Sequence, residues 1–200
     1  MIETLVGSSL AAAAGLNAWI PLLVLGLLSR FTDLVPLPQT WQWLSSDVAL
    51  WIIGVLLVVE VIADKIPALD TVNDIIHTAI RPAAGGIVFG AGASAEAVTL
   101  EDASSWSAID WGPIITGVVI ALVVHGIKAT ARPVANLATA GVAAPVLSTI
   151  EDGVSVLVSV LAILLPILAI VLVVALVIGG VMLIRRGRRR RREQRAAQAG

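Results

Sequence analysis

Apolar stretches separated by short polar turns dominate the chain. A helix needs about 20 apolar residues to cross the ~30 Å hydrocarbon layer of a bilayer. Six such stretches can be drawn, at about 5–28, 48–66, 78–100, 111–127, 133–150 and 154–184. The fifth is short and weak. The sixth has 31 residues, roughly 46 Å as one helix, so it must tilt, kink near Pro166 or protrude. The pattern predicts an all-α, polytopic helical membrane protein with about six transmembrane helices.

Composition agrees. Of 200 residues 58 % are hydrophobic and 14 % charged, against roughly 45–50 % hydrophobic for soluble domains, and the mean hydropathy is +0.98. These figures exclude a disordered chain, a soluble nucleic-acid binder and an ordinary cytosolic enzyme. Cysteine is absent, so the chain has no disulfide framework, thiolate metal site or cysteine nucleophile.

Charge changes the picture through its distribution. The formal charge is −1, but eight of the thirteen basic residues lie at Arg185, Arg186, Arg188 to Arg192 and Arg195, which leaves residues 1–184 with 5 basic and 13 acidic groups. The chain divides into a single transmembrane domain, 1–184, and an Arg-rich tail, 185–200. A basic tail after an apolar run reads as a cytoplasmic anchor that meets the bilayer and anionic lipid headgroups. It has no aromatic interleaving, so nucleic acid is not the expected partner. The expected location is the inner membrane of a bacterium.

Six crossings then place both termini in the cytoplasm, with Lys65, Arg81, Lys128 and Arg132 on that side. Asp33, Asp47, Glu101, Asp102, Asp110, Glu151 and Asp152 fall outside, with Trp41, Trp43, Trp51, Trp106 and Trp111 at the outer interface. Arg30 and Trp19 are the exceptions. A re-entrant fifth segment would make the count odd and move the N-terminus outside.

Segments one, three and five are rich in Gly, Ala and Ser, which lets helix backbones approach closely in lipid; four and six are rich in Val, Leu and Ile. The first group is therefore expected at the centre and the second outside, and the sequence leaves room for an oligomer. An internal repeat is visible at about 76–102 and 127–152, each unit starting at Arg-Pro (Arg81-Pro82, Arg132-Pro133) and ending at Glu-Asp (Glu101-Asp102, Glu151-Asp152). It predicts a repeated helical hairpin crossing from inside to outside.

The polar constellation is the sharpest feature. Glu60 lies inside segment two, where an unpaired carboxylate costs on the order of 2.5–3.5 kcal/mol. Asp64 is one turn later, and Lys65 and Pro67 close the helix. Asp70, Asp74, His77 and Arg81 follow at spacings of 4, 3 and 4, one stripe if helical. Glu60, Asp64, Asp70, Asp74 and His77 could supply oxygen and imidazole ligands to a divalent cation, or relay protons. The same residues could instead form salt bridges, Asp74 with Arg81, Asp70 with Lys65, or Glu60 with Lys128. Asn17, between Gly15 and Pro21, marks a break in segment one, and a broken helix exposes backbone groups that bind ions or substrate. His125 reads as a packed residue rather than a ligand.

Three stretches, Gly15-Leu16-Asn17-Ala18-Trp19-Ile20-Pro21-Leu22-Leu23, the run from Glu60 through Asp64-Lys65-Ile66-Pro67 and Asp70 to Arg81-Pro82, and Glu151-Asp152, resemble a bacterial membrane-protein family catalogued as domain of unknown function 4126. The resemblance covers about residues 1–180 and excludes the tail. It implies a multi-pass membrane protein with shared polar positions, and no activity.

There is no Walker loop, HExxH or GxSxG. The residues favour a small transporter or permease for an ion or small polar solute, whose site includes Asn17, Glu60, Asp64, Lys65, Asp70, Asp74, His77, Arg81 and Arg132. The alternatives are a metal-dependent membrane enzyme acting on a lipid phosphate, with Arg81 and Arg132 holding the phosphate, and a non-catalytic membrane scaffold.

Overall fold

A computed structural model of the chain describes residues 1–97, 111–138 and 143–199, without the side chains of 67–72, 93–97, 133–138, 143–144, 188 and 190–199. Every regular element among the described residues is a helix: α1 (Ile2–Leu16), α2 (Trp19–Phe31), a 3-10 helix (Gln39–Ser45), α3 (Asp47–Ala63), α4 (Pro67–Ala97), α5 (Trp111–Ala138), α6 (Ala143–Leu164) and α7 (Pro166–Ala199). Local chemistry sets several of these boundaries. The Ser46 hydroxyl accepts from the Ala49 amide and caps α3, and Pro67 and Pro166 occupy the first positions of α4 and α7, where a missing N–H costs nothing.

Contacts between helices give the chain path. Exposed Trp43, Trp51 and Trp111 mark one end of the bundle. From this tryptophan end α3 runs to Glu60 and Asp64 at the other, arginine end. α4 returns antiparallel to it, and α5 runs back along α4 with Gly85 against Gly117 and Arg81 against His125. Glu151 and Gly180 both lie beside Ile127 and Lys128 of α5, and Val158 and Val173 line the same cleft. α6 and α7 are therefore antiparallel, and the chain reverses at Leu165 and Pro166.

α1 and α2 form a re-entrant pair. α1 starts beside Gly92 at the tryptophan end and stops at Leu16, whose carbonyl accepts from Lys128. Asn17 is extended. α2 then runs from Trp19, packed edge-on against His77, back to Gly26 beside Leu44 of the 3-10 helix. The centre of the bundle is α1 with the second half of α4: Val6, Leu10, Ala14, Ala84, Val88 and Ala91 are all buried there. α7 buries only Ala169 and Val173 among its described side chains.

Several sequence expectations are corrected here. Three helices are long and apolar enough to cross a membrane, Trp111–Arg132, Pro145–Leu164 and Pro166–Gly187, and the 3-10 helix with α3, bent by 58°, makes a fourth if taken as one span. The count of six spans is not reached on length and composition among the described residues: segment one, for example, is split into helices of 15 and 13 residues, about 22 and 20 Å long. α4 has 31 residues but carries the polar stripe in its first half. Of segment five, 133–138 end α5 and 143–150 begin α6, with 139–142 outside the described residues. Of the repeat units, 76–97 is one continuous helix and 127–152 holds the end of α5 and the start of α6; Glu101, Asp102, Trp106 and Asp110 lie outside the described residues. Glu151 is not at the tryptophan end, because it pairs with Arg132. α1 begins at the tryptophan end, and Arg185 lies on α7 beyond Gly180, toward the arginine end. α7 continues through the Arg-rich stretch to Ala199.

Close approach of α4 and α5 depends on two glycines. A Cβ on Gly117 would overlap the Gly85 carbonyl, and a Cβ on Gly85 would overlap Ala121. Gly54 on α3 faces nothing within 4 Å. Gly117→Val should therefore sharply lower the melting temperature of the detergent-solubilised protein, whereas Gly54→Ala should leave it unchanged or raise it, by helix propensity worth up to about 1 kcal/mol.

Candidate functional site

At the arginine end, five helices contribute to one buried ionic layer. Glu60 comes from α3, and Asp64 is its C-cap. Asp74, His77 and Arg81 come from α4 at helical spacing, His125, Lys128 and Arg132 from α5, Glu151 from α6, and the Leu16 carbonyl from α1. Glu60, Asp64, His77, Arg81, His125, Lys128 and Arg132 are all buried, with Arg81 at 0 % exposure.

Arg81 is the hub of one half. Its Nη2 donates to Glu60 Oε1 at 3.0 Å, and its Nη1 lies 2.8 Å from His125 Nδ1 and 3.4 Å from Asp74 Oδ1. The Thr78 hydroxyl is 3.2 Å from His125 Nε2. His77 Nδ1 lies 3.4 Å from Glu60 Oε1, too poorly aligned for a hydrogen bond. Among the described residues, Glu60 Oε2, His77 Nδ1 and Arg81 Nε are buried polar atoms without a hydrogen-bond partner.

The other half joins Asp64 to Glu151 through two cations. Lys128 Nζ lies 3.8 Å from Asp64 Oδ2 and 3.0 Å from Glu151 Oε2, and donates to the Leu16 carbonyl at 2.7 Å. Arg132 Nη2 lies 3.3 Å from Asp64 Oδ2 and 2.7 Å from Glu151 Oε2. Asn73 also donates to Asp64. Arg81, Lys128 and Arg132 thus face Glu60, Asp64 and Glu151, with Asp74 at the partly exposed rim.

Asn17 closes the break between α1 and α2. Its side-chain oxygen accepts from the amides of Trp19 and Ile20, capping α2, and its Nδ2 donates to Asp152 Oδ1 at 2.9 Å. The break falls where the sequence places it, but its polar groups are satisfied by the chain itself rather than left open.

The structure therefore brings Glu60, Asp64, Asp74, His77, Arg81 and Arg132 together, with Asn17 beside them. Lys65 is excluded: it is exposed and donates to the Val61 carbonyl of its own helix. The Asp70 side chain lies outside the described residues. Of the three salt bridges weighed from sequence, Asp74 with Arg81 is present, Glu60 pairs with Arg81 rather than Lys128, and Asp70 with Lys65 lies outside the described residues. For the metal expectation at Glu60, Asp64, Asp70, Asp74 and His77, no group of three or more His, Asp and Glu among the described residues is placed to hold an ion, and the Asp70 side chain lies outside those residues. Guanidinium and ammonium groups already occupy the space between the carboxylates.

His125, Lys128 and Glu151 are the members that sequence reasoning missed. His125, Lys128 and Arg132 recur at spacings of 3 and 4, a cationic stripe on one face of α5. Ser148, Ser155 and Ser159, all buried, flank Glu151 at the same helical spacing and mark its face of α6 as inward.

The fold and this layer define an integral membrane protein built around an internal charge network. A model of the family described as domain of unknown function (DUF4126) matches residues 4–186, and the chain belongs to that family. No curated protein matches the chain, nor does any solved structure.

Truncating one member of a buried ion pair strands its partner and costs about 3–5 kcal/mol. Arg81→Ala should destabilise the protein by that order in chemical or thermal denaturation, whereas Lys65→Ala should change stability by no more than about 0.5 kcal/mol. Equal effects from both would show that the layer does not hold the bundle.

Proposed function

We propose that this protein is a small membrane transporter for an ion or small polar solute, and that protons bound at Glu60 and His77 drive or accompany the movement. The observation that carries this reading is the buried, unpartnered pair Glu60 Oε2 and His77 Nδ1. Ionisable residues at membrane depth mark ion and proton pathways, and a buried polar group without a partner in a functional layer is a site for a proton, water or ion. Arg81 keeps Glu60 from drifting out of position, and Trp19 of the re-entrant pair covers His77. The re-entrant α1–α2 pair supports the same reading, because transporters place broken helices at their sites.

In this scheme the arginine end faces the cytoplasm, in accord with its basic residues. The N-terminus lies on the other side. The membrane is the inner membrane of a bacterium.

A second reading, a non-catalytic scaffold, is favoured by the near-complete pairing of the charges: each of Glu60, Asp64 and Glu151 already holds a cation. Flux separates the two. Proteoliposomes carrying a pH-sensitive dye should respond to an imposed potential in the presence of a mixture of inorganic ions and small polar solutes. Glu60→Gln, which strands Arg81 and lowers the melting temperature, should abolish the response when assayed well below its own melting temperature, in protein shown to be folded and inserted. A response no greater than that of empty liposomes, or one retained in Glu60→Gln, would leave the scaffold reading in its place.

A further inference from the structure

An apolar cleft of about 350 Å³ lies between α1, α5, α6 and α7, lined at its deep end by Ala12, Val124, Val158 and Val173 and at its mouth by Ala131, Leu147 and Leu183. It is half open to the outside of the bundle. Its flanks there are exposed Val, Ile and Leu of α5 and α7, among them Leu122, Val123, Val174 and Ile178, so the cleft opens onto lipid tails rather than water. Among the described residues the charged groups on its walls are Lys128 and Glu151, paired with each other at 3.0 Å. The wall therefore asks for hydrocarbon.

Length and charge specify the occupant further. The ten helical steps from Val173 to Leu183 rise about 15 Å, the depth of one leaflet of a ~30 Å hydrocarbon layer. One turn beyond Leu183, at a spacing of 3 on the same stripe of α7, stands exposed Arg186, and beside it Arg185, which lines a second cleft of about 330 Å³ with Gly126 and Thr130 of α5. Arg186 thus stands one turn past the mouth and Arg185 beside the neighbouring cleft, both at the level where a headgroup phosphate sits, and guanidinium recognises phosphate through paired hydrogen bonds.

We propose that this cleft is a binding site for an anionic phospholipid, with one acyl chain between α5, α6 and α7 and the phosphate held by Arg185 and Arg186. Such a lipid completes the packing of α7, which buries little against the rest of the bundle, and fixes the depth of the arginine end in the membrane. The proposal rests on membrane embedding and is independent of what the ionic layer transports.

Lipid retention tests it. The full chain is placed in nanodiscs of phosphatidylcholine with phosphatidylglycerol of the same chains as a minor component, extracted in mild detergent and weighed by native mass spectrometry. Wild type should retain phosphatidylglycerol over phosphatidylcholine. Arg185→Gln with Arg186→Gln should lower phosphatidylglycerol affinity by about 20–30-fold, from roughly fivefold per basic residue, and leave phosphatidylcholine unchanged. Ala131→Phe, which fills the mouth, should lose both lipids. Leu183→Trp, at an exposed position on the rim, serves if Ala131→Phe does not fold. Equal retention of the two lipids by wild type would overturn the proposal. So would phosphatidylglycerol retention that survives the cleft-filling variants, which would reduce the tail to a surface contact. A lipid-free dimer that the same variants dissociate would assign the cleft to a second copy of the chain.

Discussion

A guanidinium with no exposed surface must be neutralised where it lies, and that requirement organises this bundle. Arg81 sits on α4 fully enclosed by the bundle, where water cannot solvate it, and the cost of an unpaired charge there exceeds what packing contributes. Glu60 on α3 and His125 on α5 are drawn against it, with Asp74 at its rim. Each contact fixes the register of one helix against the next. Apolar burial cannot do this in lipid, since a leucine is as well solvated by acyl chains as by another leucine. Lys128, Arg132, Asp64 and Glu151 extend the same logic to α6. Glycines then admit the approach that the charges demand, with the α4 and α5 backbones in contact at Gly85 and Gly117.

The re-entrant pair depends on this layer. Backbone polar groups freed at a helix break are tolerated at membrane depth only where protein surrounds them. Here the Leu16 carbonyl takes Lys128, the amides of Trp19 and Ile20 take Asn17, and Asn17 takes Asp152. Lys128 is shared between the carboxylates and the end of α1, so a change in charge at Asp64 or Glu151 alters the support of the break. The layer and the break form one mechanical unit, which links the proposed proton site to the element that covers it.

What the sequence made legible follows from what periodicity can report. The stripe of Asp74, His77 and Arg81 was readable because three and four residues return to one helical face, and Asn17 between Gly15 and Pro21 was readable as a break. Hydropathy carries no information on direction. The run at 154–184 is uniformly apolar, so nothing in it distinguishes a helix kinked at Pro166 from a hairpin that reverses there. His125, Lys128 and Arg132 form a stripe as regular as the one on α4, but the sequence places only Arg132 in the site: His125 reads as a packed residue, and Lys128 also fits the rule that places basic residues at a cytoplasmic boundary, so the boundary reading absorbed it. Glu151-Asp152 was absorbed in the same way by its likeness to Glu101-Asp102, although the buried serines on its helix mark it as inward.

Charge balance within the layer constrains any mechanism it takes part in. Three cations face three carboxylates, and among the described residues Glu60 Oε2 is the one buried oxygen of those carboxylates without a hydrogen-bond partner. A proton added to Glu60 weakens its hold on Arg81, which still has His125 and Asp74 to accept its other nitrogen. The cheapest rearrangement is then local: Arg81 shifts toward Asp74 at the partly exposed rim, and His77 takes up the freed oxygen. Protonating Asp64 or Glu151 instead would release Lys128 and Arg132 together and loosen the end of α1. The first change moves one side chain, and the second opens the break in the bundle. A cycle that uses both, one carboxylate for the proton and the other for the gate, needs no group beyond those already in contact.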